Sequence, residues 1–298
     1  MNFAVTGGAG FIGSHLTKYL VSEGHNVTVI DNLFRGKLSN LEEVKHRINF
    51  IKLDILDVEN LKKALQNVEG IFHQAALTSV PESYEKESEY KKVNVTGTEN
   101  IFKIASELKI KVVYASSSSV YGNIKNIPIT EGFDRNPINP YGLTKLEDEY
   151  LAEKYSKLGT QIIGLRYFNV FGIGQTLDYA GVITKFLDQI NEGKHPIIFG
   201  DGSQVRDFIF VQDVAEVNLA AMLSDAKSGF FNVGTGNAIS IKDLASLMIK
   251  ISGKSLEVEY DKLPVGDIKL SKADTSLSTA TLGWRSQTTL EEGLRTLF

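Results

Sequence analysis

The chain has 298 residues, 42% of them apolar, and its 32 basic and 36 acidic side chains give a net charge of −4. That length allows a large core or two ordinary domains, while the mild acidity offers no basic field for nucleic acid, the pairs Lys62-Lys63 and Lys91-Lys92 reading as solvated helix faces. The absence of cysteine excludes disulfides and thiolate metal sites, and neither a signal-peptide pattern nor a run of ~18 apolar residues is present, so a cytoplasmic protein is the expectation.

In chain order, Asn2–Thr6 is a short β-branched run that reads as a strand. It leads into Thr6-Gly7-Gly8-Ala9-Gly10-Phe11-Ile12-Gly13, after which Ile12, Leu16, Tyr19 and Leu20 share one helical face until Gly24 closes the helix in a left-handed conformation. Glycines at 7, 10 and 13, between a strand and a helix, let backbone N–H groups and a helix N-terminus face a diphosphate. A P-loop would end in Gly-Lys-Ser/Thr, and Ile12-Gly13-Ser14 carries no lysine, so the spacing points away from ATP. The next strand, 27–31, ends in Asp31, eighteen residues after Gly13. A carboxylate there accepts from the adenosine ribose hydroxyls and repels a 2′-phosphate. NAD is therefore favoured over NADP, a preference that the nearby Arg35 and Lys37 weaken.

Further strands are expected at 48–53, Gly70–His73, 111–115 and 161–166. Strands alternating with helical-period segments imply an α/β fold with a doubly wound, Rossmann-like parallel sheet, because right-handed crossovers return the chain through a helix. The strand at 111–115 runs out into Ser116-Ser117-Ser118-Ser119-Val120-Tyr121-Gly122, placing hydroxyls at the carboxyl edge where such sheets hold ligands. Asn139-Pro140-Tyr141-Gly142-Leu143-Thr144-Lys145 then opens a helix, with Asn139 as cap, Pro140 in the first turn, and Tyr141 and Lys145 on one face. A tyrosine of pKa about 10 must be lowered by ~3 units, or about 4 kcal/mol, to serve as a base at neutral pH. A desolvated ammonium and an oxidised nicotinamide are suitable perturbers. Standing alone, the pair reads as an ordinary exposed helix; beside a serine loop and a phosphate cradle it reads as chemistry.

After Asn169 the texture changes. Turn-rich pieces, "HPIIFGDGSQVRDF" and "DKLPVGD", mix with helices expected at Val182–Asn191, 214–223, 241–250 and 290–297, two of them capped by Asp213 and by Ser240 with Asp243. No Pro/Ser-rich linker intervenes, so a smaller α/β substrate-binding domain packed closely on the first is expected, with 230–233 rejoining the sheet. The expected division is 1–168, rejoined by about 212–236, for NAD, and 169–211 with 237–298 for the substrate. His15, His25, His46, His73 and His195 lack ligand spacing, and no metal is expected.

The motifs of the glycine loop, Asp31-Asn32, Asp54-Ile55, His73-Gln74-Ala75-Ala76, Ser117-Ser118-Ser119-Val120-Tyr121-Gly122, Tyr141-Gly142-Leu143-Thr144-Lys145 and Arg166-Tyr167-Phe168-Asn169-Val170-Phe171-Gly172 occur in that order. Together they make the chain resemble the extended short-chain dehydrogenase/reductases, specifically the NAD-dependent nucleotide-sugar epimerases that include UDP-glucose 4-epimerases. The resemblance spans essentially the whole chain. It implies cofactor contacts from Gly7, Gly10, Phe11, Ile12 and Gly13, then from Asp31, Asn32, Arg35 and Gly36. It also places Asp54 and Ile55 near the adenine, Ala75 and Ala76 on the pyrophosphate side, and Tyr167 with Phe168 beside the nicotinamide. Gln74, Thr78 and Asn94 complete the implied cofactor set, Thr78 standing where some members carry a lysine. On the substrate side, Ser117 corresponds to the hydroxyl that bonds the sugar, Tyr141 to the base and Lys145 to the residue that tunes it. Ser118, Val182 and Ser271 are also implied there, with Asn169 and Arg206 at the diphosphate and Ile198 and Phe199 near the base. An arginine fork suits a diphosphate.

The reaction implied is C4 epimerisation of a UDP-hexose through a transient 4-keto sugar, with NAD retained. The resemblance further implies a homodimer built on the segment 90–108 and the helix after Tyr141. Nucleotide-sugar 4,6-dehydratases and UDP-glucuronate decarboxylases are close alternatives, but they carry acids in the serine loop where this chain has Ser118 and Ser119. A hydroxyl does not readily do that acid/base work. A reductase and a non-catalytic NAD-binding regulator are the other readings, and the regulator would need no Tyr141/Lys145 pair. Two departures stand out. Pro264 occupies the arginine place of an Arg-x-Gly-Asp segment, with Lys262 or Lys269 as substitutes, and Ser271 replaces the bulky aromatic of some members, leaving room for a 2-acetamido group.

Overall fold

Short apolar runs with no alternation are what a parallel sheet covered on both faces requires. In the computed structural model, which describes residues 1–176, 181–262 and 268–298, these runs form β1 (Asn2–Thr6), β2 (Asn26–Asp31), β3 (Ile48–Lys52), β4 (Gly70–His73), β5 (Lys111–Ser117) and β6 (Ile162–Tyr167). A seventh strand, β10 (Ser228–Val233), joins them in the order β10-β6-β5-β4-β1-β2-β3. It pairs in parallel with β6, Phe231 opposite Leu165, so the chain does return to the sheet where 230–233 suggested it would.

One face of the sheet is covered by α1 (Phe11–Ser22) and α8 (Val211–Leu223), whose Leu16, Leu20, Val214 and Val217 join Phe3, Val5, Val113 and Leu165 in one core. The other carries α2 (Val58–Ala64), α5 (Gly97–Leu108) and α6 (Pro140–Lys157), where Leu61, Phe102 and Tyr155 meet Ala4, Ile71 and Tyr114. Two short helices, α3 (Val80–Glu85) and α4 (Glu87–Tyr90), follow β4, and the helix then widens into a π turn over Lys91–Thr96 before α5 begins.

The second half builds smaller sheets. β7 (Asn169–Phe171), β9 (Val205–Phe210) and β11 (Ala238–Ser240) form one, and β8 (Ile197–Phe199) with β12 (Glu259–Asp261) the other. With α7 (Val182–Asn191), α9 (Ile241–Ser252) and α11 (Leu290–Arg295) they enclose a core of Phe186, Ile198, Phe208, Leu244 and Met248, while α10 (Ser276–Leu282) buries Leu282 beside Trp284 on the α1/α8 side. Ser240 caps α9, accepting from the Asp243 N–H at 3.0 Å. Asp213 does not cap α8. That helix starts two residues earlier, at Val211, and the Asp213 carboxylate accepts instead from the N–H groups of Gln287 and Thr288 at 3.2 and 3.1 Å. A distant segment with unpaired donors has claimed the local cap. The Pro264 departure lies outside the described residues. No helix of the described residues is long and apolar enough to cross a membrane.

Candidate active site

The glycine loop is compact because backbone meets backbone. Gly7 sits at φ +67°, and a Cβ there would lie 2.7 Å from the Ala75 backbone; one on Gly13 would lie 2.1 Å from the Gly7 carbonyl oxygen. Gly10 caps α1 with no side-chain bond, and the first turn, which holds Phe11 and Ile12, contains no acid. The N-terminus of a helix with neither a side-chain cap nor an acid suits an anion, so these residues fit a diphosphate. Gln74 donates its N–H to the Thr6 carbonyl at 3.0 Å, which holds the 74–76 segment against the same loop.

Asp31 closes β2 and is 7% exposed. Burial raises its pKa, and the N–H groups of Leu33 and Ala9, at 2.8 and 3.0 Å, oppose that rise. A Cβ on Gly36 would lie 2.9 Å from both carboxylate oxygens, so only glycine lets the loop lie this close. Asn32 donates to Asp54 at 2.8 Å. Arg35 reaches Glu82 at 2.8 and 2.9 Å, which bridges the loop to α3.

Three residues implied as cofactor contacts turn their side chains inward. Ile55 is buried against the place where Gly97 lacks a Cβ. Asn94, in the π turn, is fully buried and clamps Leu77 (2.8 and 3.0 Å) to Thr144 (3.0 Å). The Tyr167 hydroxyl bonds Asn218 and Gln74, and burial raises its pKa. The side chains of these three are committed to protein contacts, whereas Thr78 is exposed.

At the carboxyl edge of β5, Ser117 lies opposite Tyr167 and its hydroxyl accepts from the Ser119 N–H at 3.1 Å. Ser118, the next residue, is partly exposed. Asn139 caps α6, accepting from the Gly142 N–H at 2.7 Å, and Pro140 opens its first turn. A Cβ on Gly142 would lie 2.9 Å from the Ser119 carbonyl oxygen; glycine lets α6 start against the serine loop, which brings Tyr141 to it. From the other side Ser83 accepts from the Tyr141 N–H at 3.2 Å. One turn on, Lys145 is buried and donates to the fully buried Asp148 at 3.2 Å. Behind them lies His73, bonded to Thr6 at 2.7 Å and Thr98 at 2.9 Å. Burial, helped by the charge of Lys145, pushes the His73 pKa down to about 3.

Below the serine loop is an ion pair that pattern reading did not single out. Glu149, fully buried, takes two bonds from Arg166 at 2.8 Å each, one from Ser116 at 2.7 Å and one from Arg135 at 3.0 Å. Its only signal in the sequence is an arginine inside an apolar strand.

The second half contributes a cavity of about 290 Å³ that brings together Asn169, Val182, Phe199 and Arg206, four of the residues implied on the substrate side, with Gln175, Ile197 and Gln204. Ile198 is fully buried, because successive residues of β8 point to opposite faces. Ser271 binds the Val205 carbonyl through its N–H at 3.0 Å and does not line this cavity. A wider cleft of about 760 Å³ beside Tyr150, Glu153 and Phe230 takes Arg135 and Arg166 of the buried ion pair into its lining, and none of the residues implied for cofactor or substrate. Among the described residues, no three metal-ligating side chains gather.

A doubly wound sheet whose first crossover is a close-packed glycine turn running into an uncapped helix N-terminus, and whose β5 edge meets a helix bearing Tyr141 and Lys145, defines an extended short-chain dehydrogenase/reductase. The profile of the NAD dependent epimerase/dehydratase family matches residues 3–234, and the chain belongs to that family. A UDP-N-acetylglucosamine 4-epimerase from Methanobrevibacter ruminantium M1, solved with UDP-N-acetylmuramic acid, is 37% identical, with a TM-score of 0.95 over 99% of this chain and 96% of that one. The UDP-glucose 4-epimerase of Thermotoga maritima, solved with UDP-glucose, is 35% identical, with a TM-score of 0.94 over 100% and 97%. A UDP-N-acetyl-alpha-D-glucosaminuronate decarboxylase of Bacillus cytotoxicus is 34% identical over 98% of this chain and 94% of its own. The family is NAD-dependent and solved relatives hold NAD; NAD is the cofactor, and the protein is an enzyme of the UDP-sugar epimerase family.

Proposed function

We propose that the enzyme interconverts the C4 epimers of a UDP-hexose, UDP-glucose and UDP-galactose first, through a transient 4-keto sugar. The observation that carries this reading is the start of α6, where Tyr141 is held against a serine loop that offers only hydroxyls at Ser118 and Ser119. The chemistry that bound NAD supplies is reversible hydride exchange with C4. Gly7, Gly10 and Gly13 hold its diphosphate, Asp31 its adenosine ribose. Ser117 donates to and accepts from the sugar 4-hydroxyl, Tyr141 removes that proton and returns it, and the Lys145 ammonium favours the tyrosinate. Arg206 and Asn169 grip the diphosphate of the sugar nucleotide, with the base in the cavity beside Phe199. Rotation of the keto sugar about that fixed diphosphate presents its other face, so configuration inverts with no net oxidation.

Residues 1–168 with 212–236 would then carry NAD, and 169–211 with 237–298 the nucleotide sugar. Acceptance of 2-acetamido sugars is the finer part of this reading: it rests on the small side chain at Ser271 alone, which is buried and lies outside the cavity lined by Arg206, so the N-acetyl arms of the test below decide it. A cytoplasmic homodimer paired through α5 and α6 completes the reading, and light scattering would show twice the 32.9 kDa chain mass. The decarboxylase relative supports a second reading, decarboxylation of a UDP-uronate, which the neutral serine loop disfavours. The test is to incubate the purified protein, without added NAD, with UDP-glucose, UDP-galactose, their N-acetyl counterparts and UDP-glucuronate. Resolved C4 epimers support the proposal, and release of carbon dioxide or a 4-keto-6-deoxy product refutes it.

A further inference from the structure

We propose that Asp148 is a positioning residue for Lys145: a solvent-free carboxylate that holds the ammonium charged and in place on the face of α6 that carries Tyr141. This rests on the reading of Tyr141 as base and Lys145 as the group that tunes it. Asp148 has no solvent exposure and Lys145 is 3% exposed, so their 3.2 Å contact is dry; because burial raises the Asp148 pKa to about 7, it is a full ion pair on the basic side of neutrality. Asp148 is the one acceptor bonded to Lys145 among the described residues, which leaves the other ammonium donors for groups that enter the cleft. A second feature sets the carboxylate apart: its Oδ1 is buried with no hydrogen-bond partner. Buried carboxylates are ordinarily satisfied on both oxygens; here the support besides Lys145 comes from the Thr98 side chain, which favours the charged form.

The surroundings leave the pair to itself. From α5, Thr98 bonds His73 of β4 at 2.9 Å and also lowers the pKa of Asp148, which burial raises. His73 resists protonation and adds no charge. Tyr114 of β5 is buried and held neutral by desolvation. Of the acids on α6, Glu147 pairs with Lys91, and Glu149 is taken by Arg166 and Arg135. An ammonium this buried, deprived of Asp148, would lose its proton or turn out to water. Either way the positive charge that favours the Tyr141 oxyanion is lost.

The experiment uses the NAD-loaded protein without sugar. Ionisation of Tyr141 is followed by ultraviolet tyrosinate absorbance and assigned by difference from Tyr141→Phe. Asp148→Asn, the same shape without the charge, is expected to raise that midpoint by about 1 unit, a roughly tenfold smaller tyrosinate fraction at neutral pH. The acid limb of kcat should move with it while KM stays. In a Lys145→Met background the same change should move nothing further, since the effect runs through the ammonium. A midpoint that Asp148→Asn leaves in place or lowers overturns the proposal and leaves the reading of Tyr141 standing. A wild-type protein with no depressed tyrosine overturns both. Should Asp148→Asn not fold, Asp148→Glu decides, because displacing the carboxylate by one methylene should also raise the midpoint and an unchanged one refutes the idea.

Discussion

Tyr141 and Gly13 show how differently two residues of one site depend on their surroundings. Tyr141→Phe removes one oxygen from a side chain at the mouth of α6, and nothing in the packing needs that oxygen. We expect turnover to fall by about 10²–10⁴ with NAD content and melting temperature unchanged; activity within tenfold of wild type would refute the assignment. Gly13→Ala is the reverse case, because its Cβ would lie 2.1 Å from the Gly7 carbonyl oxygen and the atom in the way is backbone. The loop must open, and purified variant protein should carry less than about a tenth of the NAD, measured after denaturing release, with a lower melting temperature. The spacing of the glycines was legible in the sequence because it concerns residues six apart. That Gly36 lies against Asp31 was not, since the approach depends on how a loop folds back.

At the scale of elements, α6 is decisive. Its start was readable as Asn139-Pro140, and the 2.7 Å cap bond from Gly142 to Asn139 bears that out. Asn139→Ala should cost about 1 kcal/mol in urea unfolding. Because Tyr141 is two residues away, kcat should fall by more than tenfold, and a loss of stability alone would show that the first turn positions nothing. The β6–α6 contact carries the Arg166–Glu149 pair, with Arg166 2% exposed. Removing one partner strands a buried charge, so Glu149→Gln should destabilise by about 3–5 kcal/mol, while replacing both residues with methionine should recover much of that. Equal destabilisation of the single and double variants would contradict this account. An arginine in an apolar strand hints that a partner exists, but only packing names Glu149.

For the whole molecule, two buried groups give stability a pH dependence of opposite sign. His73 has its pKa lowered from 6.5 to about 3, so the unfolded chain takes up the proton first; its contribution is complete above about pH 6.5 and is lost as pH falls through 3. Asp148 is raised from 3.8 to about 7, so its contribution is complete below about pH 3.8 and is lost as pH rises through 7. Between those limits the two slopes oppose each other. His73→Gln removes one of them, and the stability advantage of wild type over this variant should shrink on acidification from pH 7 to about 4; a constant difference in unfolding free energy would contradict it. Neither slope is visible in the sequence, where His73 is one residue of a strand and Asp148 one of several acids on a helix. What the sequence determined by itself is what neighbours along the chain decide: strands, glycine spacing, the Asn139 cap, and the Tyr141/Lys145 interval. Only the tertiary structure decided that Asp213 serves residues 287 and 288, that Asn94, Tyr167 and Ile198 face inward, and that Asp148 meets Lys145 away from water. Facing and burial are set by whichever distant segment packs against a residue, and the free energy of a charge or a hydrogen bond changes most where that packing has removed the water.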